Sequence, residues 1–267
     1  EVIDIGNASE GRINPFHIYQ VLSEDGGKSN SLITFNTHLK VLESFFKIVL
    51  EGATNDVIEL INNLVVELYE LKNINGTTNF KKLKPKDYPI FTDLLELVKN
   101  KQNDKLSILD KKLFKMVELY LQKFVTGRYS DIWNAASTLT TSSSIINFNF
   151  QSLFVNKNNT VANAQMLLVF RFIEQEIISA TENLTSEEKD ELIVAYEPIW
   201  SIGTGLIPTI EEIEEVFKLI NNLLPNTKVL YGGSANDKNI DELKQCSLIE
   251  GYLLGGLSLK PENLKVF

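Results

Sequence analysis

Cysteine is almost missing from this chain. Cys246 stands alone, so no internal disulfide can form, and a reducing, cytoplasmic setting is the default expectation. Histidine is nearly as scarce: His17 and His38 are the only two in 267 residues. One cysteine and two distant histidines do not supply the ligand spacing of a metal site, so neither metal nor cofactor is expected. Long apolar runs are lacking too, and nothing approaches the roughly 20 residues of a membrane-spanning helix. Positive charge is in deficit, with 26 Lys and Arg against 35 Asp and Glu for a net charge of −9. That balance lacks the basic footprint that a phosphate backbone demands, so no nucleic-acid partner is expected. There is no P-loop and no Ser-His-Asp order. The sequence opens on Glu1 rather than Met, which leaves an upstream segment open.

What is present is ordinary globular material, 43% hydrophobic and 23% charged. The length suits one α/β barrel of about 250 residues. Glu1 to Asn7 and Ser31 to Asn36 read as the first two strands, with His17 in a first helix and His38 just after the second strand. Both histidines read as surface or loop residues. From about 40 to 123 the pattern turns helical. Val57, Leu60, Ile61, Leu64, Val65 and Leu68 keep the spacing of one buried face, and Leu109, Leu113, Val117 and Leu121 repeat it. Between them, 73–89 is polar and bounded by Gly and Pro, a surface loop. Phe124 to Gly127 and Ser144 to Phe150 are strand candidates, and Asn163 to Leu184 is a helix. Leu192 to Ala195, Thr227 to Tyr231 and Gly251 to Leu254 are three further strands. Thr209 and Glu212 form a capping box ahead of a helix whose stripe is Ile210, Ile213, Phe217, Ile220 and Leu224. Strands alternating with helices through short links predict a parallel sheet covered by helices.

The densest chemistry lies in Ala195 to Gly205, AYEPIWSIGTG. It sets a lone carboxylate, Glu197, at the end of an apolar strand and just before a Gly-bounded loop, the arrangement a general base under a lid requires. Tyr231-Gly232-Gly233-Ser234 and Gly255-Gly256-Leu257-Ser258-Leu259 follow. The three runs, in this order, resemble the triosephosphate isomerase family over about the last third of the chain. The resemblance implies a (β/α)8 barrel spanning 1–267, within which 40–123 is a helical insertion or replacement. It identifies Glu197 with the family's catalytic base. It gives Gly203, Gly233, Ser234, Gly255 and Gly256 a phosphate-binding role, and glycines suit that role because backbone N–H groups can approach an anion closely.

The resemblance also implies a lysine after the first strand and a histidine after the fourth. Ser9 stands at the first position and Arg128, in Gly127-Arg128-Tyr129-Ser130, at the second. Arginine stays protonated and is a poor proton shuttle near neutral pH. Leu206-Ile207-Pro208 replaces the lysine and small residues that close the family's lid, and proline fixes φ there. The expected reading is therefore an impaired or inactive family member serving as a structural or interaction subunit, a scaffold with its partner surface over 40–123. A working isomerase interconverting dihydroxyacetone phosphate and glyceraldehyde 3-phosphate is one alternative. A non-catalytic binder of a small phosphorylated metabolite is the other.

Overall fold

The computed structural model describes residues 2–5, 9, 11–21, 30–102, 107–139, 147–149, 159–198, 201, 207–259 and 264–265. The chain divides into two compact units, Glu1–Gln175 and Glu176–Phe267.

In the first unit, β1 (Val2–Asp4) pairs in parallel with β2 (Asn147–Asn149). Its described α-helices are α1 (Ser31–Val49), α2 (Asn55–Leu71), α3 (Phe91–Gln102), α4 (Ile108–Val125), the short α5 (Ser130–Trp133) and α6 (Asn159–Thr181), which runs across the unit boundary. An aromatic cluster holds them. Phe91 and Phe124 stack with centroids 4.3 Å apart, and Phe45 meets Trp133 edge-on at 4.9 Å. Such pairs add to the area that their burial removes from water.

Several expectations are corrected here. Among the described residues there is no eight-stranded barrel: five short strands form two separate sheets, one of two strands and one of three. Ser31–Asn36 is the start of α1, not a strand. Asn30 caps it, its Oδ1 accepting the Leu32 N–H at 2.9 Å, and the buried stripe Phe35, His38, Leu42, Phe45 and Val49 continues at helical spacing. The β-branched and aromatic content of Ile33-Thr34-Phe35 loses to that stripe. Phe124–Gly127 is not a strand either, because α4 runs through Val125 and Gln122 O accepts from both Thr126 and Gly127. On α4, Leu109 is 75% exposed, so the buried face is offset to Phe114, Val117, Leu121 and Phe124.

Neither histidine sits where the sequence placed it. His17 lies in a loop rather than a first helix, partly buried and stacked between Tyr19 at 4.5 Å and Tyr88 at 4.6 Å. No helix forms there because Asn14, ahead of Pro15, is spent on other bonds. Its Oδ1 accepts from Phe16 N–H and its Nδ2 donates to Pro89 O at 2.8 Å. His38 is buried, and its Nε2 lies 2.7 Å from the Tyr69 hydroxyl. Tyr69 donates its one hydrogen to Phe16 O at 2.7 Å, so His38 Nε2 must carry a proton and be the donor.

The second unit is an α/β layer. β3 (Ile193–Tyr196), β4 (Lys228–Tyr231) and β5 (Gly251–Tyr252) lie parallel in that order. Between them come α7 (Ser186–Asp190) before β3, α8 (Ile210–Leu223) and the one-turn α9 (Ile240–Leu243). The capping box read from the sequence is formed: Thr209 N–H donates to Glu212 and Glu212 N–H to the Thr209 hydroxyl. Ile213, Phe217 and Ile220 of α8 are buried in one cluster with Val229, Tyr231, Leu243 and Cys246. Among the described residues no helix is long and apolar enough to cross a membrane.

Burial lowers His17 to about 4, and burial, with Arg171 and His17 adding to it, lowers His38 to about 3. Below 6.5 the unfolded imidazoles take up protons that the folded ones refuse, so stability is lost as pH falls. Unfolding free energies from chemical denaturation are expected to hold steady above pH 6.5 and to fall as pH approaches 4, by about 3 kcal/mol for each histidine. His38→Gln, which keeps a donor for Tyr69 but does not titrate, should remove about half of that slope.

Candidate functional site

The site is built by strand register. Tyr196 pairs with Tyr231, and Tyr231 with Tyr252, so all three strands finish at one level. The ladder continues one step further, with Gly232 N–H donating to Tyr196 O at 2.8 Å and Leu253 N–H to Tyr231 O at 2.9 Å. Glu197, the Gly232-Gly233-Ser234 turn and the segment leading to Gly255 therefore leave the sheet from the same carboxyl edge, where sites of parallel α/β sheets gather.

Glu197 is exposed, and its side chain lies against the Gly232 backbone. A Cβ on Gly232 would stand 2.6 Å from Glu197 Cγ, so glycine is what lets the carboxylate take that place. Gly233 is tighter still. A Cβ there would overlap the Tyr231 hydroxyl and stand 2.7 Å from Ser201 Oγ, and Tyr231 and Ser201 are both fully buried.

Ser234 is held from three sides. Its N–H donates to Ser201 Oγ at 2.9 Å, its hydroxyl donates to Ser201 O, and its carbonyl accepts from Asn239 Nδ2 at 2.8 Å. Ser201 Oγ also lies 3.2 Å from the Tyr231 hydroxyl, and its N–H donates to Pro198 O at 2.8 Å. Burial raises the Tyr231 phenol above its ordinary value, against the Ser201 bond, so it stays neutral and able to donate. At the β5 end, Gly255 and Gly256 are exposed with open space where a Cβ would go, at the start of a 3-10 turn (Gly256–Leu259).

Thus Glu197, Gly233 and Ser234 are brought close together at one strand edge, with only Ser234 tied by the hydrogen bonds above, and Gly255 and Gly256 follow the neighbouring strand. Gly203 lies outside the described residues. Ser9 is exposed, in the first unit. Arg128 is also in the first unit, exposed in the turn after α4, with its guanidinium 4.6 Å over the Tyr129 ring. The position that the resemblance placed after a strand thus follows a helix. Ser201 and Asn239 were missed. Ser201 is 33 residues from Ser234, and no local pattern announces that pairing. Among the described residues no group of three or more metal-ligating side chains occurs.

A parallel sheet carrying a carboxylate and glycine-rich turns along one edge defines an α/β unit whose chemistry sits at strand ends. Residues 153–267 match the family model of triosephosphate isomerase. The triosephosphate isomerase of Amoebophilus asiaticus is 46% identical over 99 residues, which cover 34% of this chain and 39% of that protein. That of Mycoplasmopsis agalactiae is 51% identical over 71 residues, 26% and 28% of the two chains. That of Aspergillus oryzae is 38% identical over 98 residues, 33% and 39%. The likeness to the triosephosphate isomerase family model is thus confined to the C-terminal part of the chain, 153–267. The chain spans about two fifths of the length of these relatives from Amoebophilus and Aspergillus. Ser9 and Arg128 both lie outside the matched segment. A solved structure of VirB4 of Thermoanaerobacter pseudethanolicus aligns with a TM-score of 0.64 over 95% of this chain and 85% of that one, at 16% identity. At that identity the likeness is one of fold alone.

The two glycine positions separate cleanly by experiment. Gly233→Ala should cost about 1–3 kcal/mol in denaturant unfolding, because the new methyl meets a buried ring. Gly255→Ala, facing open space, should stay within about 0.5 kcal/mol of the parent.

Proposed function

We propose that this chain is a triosephosphate isomerase-like protein that does not turn over triose phosphates efficiently, and that it acts as a structural or interaction subunit. One observation carries the reading: of the three catalytic groups the family resemblance implies, only Glu197 falls within the matched segment. A general acid contributes roughly 10²–10⁴ in rate, and a preorganised charge stabiliser roughly 10²–10³. Glu197 is also exposed to water. A carboxylate base works best where water is excluded and the developing charge meets fixed dipoles. In this reading helices α1–α4 supply the partner surface.

A second reading is favoured by the β5 edge. The open space where a Cβ would stand at Gly255 and Gly256, just after the strand paired with β4, suits a small phosphorylated ligand that is bound without turnover.

Isomerase turnover of the purified chain, beside Glu197→Gln from the same preparation, tests the proposal. Equal rates in the two are expected. Turnover near that of a working isomerase, lost in Glu197→Gln, would overturn the non-catalytic reading.

A further inference from the structure

We infer that Ser201 regulates the anion site by occupying Ser234, so that a bound anion must displace Ser201 rather than enter a vacant cradle. This rests on the phosphate-binding reading above and adds the control of that same site.

The argument begins with donors. Ser234 can offer an oxyanion its N–H and its hydroxyl, and here both go to Ser201, the first to Oγ and the second to the carbonyl oxygen. The Asn239 amide, bonded to the Ser234 carbonyl, keeps the turn in that orientation. Ser201 is itself fully buried and anchored twice more, through Tyr231 and through the Pro198 carbonyl. An oxyanion that recruits Ser234 therefore has to replace hydrogen bonds that are already made, and its apparent affinity drops by the cost of breaking them.

Titration of the full chain with inorganic phosphate, at fixed ionic strength by calorimetry, tests the idea. Ser201→Ala removes the Oγ acceptor and frees the Ser234 N–H while leaving the backbone contact, so it should bind phosphate about 3- to 10-fold tighter than the parent. Tyr231→Phe removes the hydroxyl that touches Ser201 but not the acceptor that holds Ser234, and should stay within about twofold. Parent binding with equal or weaker binding by Ser201→Ala overturns the clamp and leaves the phosphate reading intact. Tyr231→Phe tightening as much as Ser201→Ala overturns it as well, since general loosening would then account for the gain. Failure of both the parent and Ser201→Ala to bind overturns the clamp together with the phosphate reading.

Discussion

The middle strand of the three-stranded sheet is the constraint on which the C-terminal unit depends. β4 pairs on both sides, with Tyr196 and Tyr252 flanking Tyr231, and a one-residue slip on either side would misalign the loops that leave the sheet. Its Val229 and Tyr231 face the buried stripe of α8, which pins the register by packing as well as by backbone bonds. Everything chemical in this unit follows from that registry. Glu197, Gly232 and the approach to Gly255 reach one edge because their strands end together. β3, at the side of the sheet, is less protected, with Ile193 63% exposed where β4 has Val229 fully buried.

Tyr231 joins the scaffold to the site. Its ring belongs to the core cluster, while its hydroxyl reaches Ser201 and lies over Gly233. The turn can pass beneath that ring only without a side chain at 233. Here the two glycines of the motif have separate physical reasons: Gly232 makes room for the Glu197 carboxylate, and Gly233 makes room for a buried phenol. Only the first concerns a group that could meet a ligand. The second is packing, and it fixes the distance between the Ser201 and Ser234 segments before any ligand is considered.

Legibility in the sequence followed the range of the interactions. The Thr209 cap and the α8 stripe rest on contacts a few residues apart, and the strands read at Leu192–Ala195 and Thr227–Tyr231 show as short apolar runs, so these are legible. Ile33-Thr34-Phe35 misled because strand-like composition is a weaker force than a stripe running from Phe35 to Val49 under an asparagine cap. Phe124 misled because the last turn of a helix and the first residues of a strand look alike over four positions. His38 looks peripheral only if 31–36 is a strand; with α1 formed it turns inward onto Tyr69. In the candidate site, Glu197 and the glycines came with their motifs. Ser201 and Asn239 act across the fold through single hydrogen bonds, and such bonds leave no periodicity to read.

The two likenesses of this chain carry different weight because they measure different things. A shared backbone path at 16% identity over nearly the whole chain speaks of how helices and strands are arranged. Identity of 46% over 99 residues is a likeness of side chains as well as of backbone. Function is argued from the second kind, since sites rather than folds carry reactions. Yet a site is a set of groups held at fixed separations. In the proposed reading Glu197 offers a carboxylate at a strand edge, and a working base would need proton-donating and charge-stabilising groups held against it. On the proposed reading, a water-exposed carboxylate beside a serine already bonded to Ser201 suits contact with a partner's cationic group better than proton transfer.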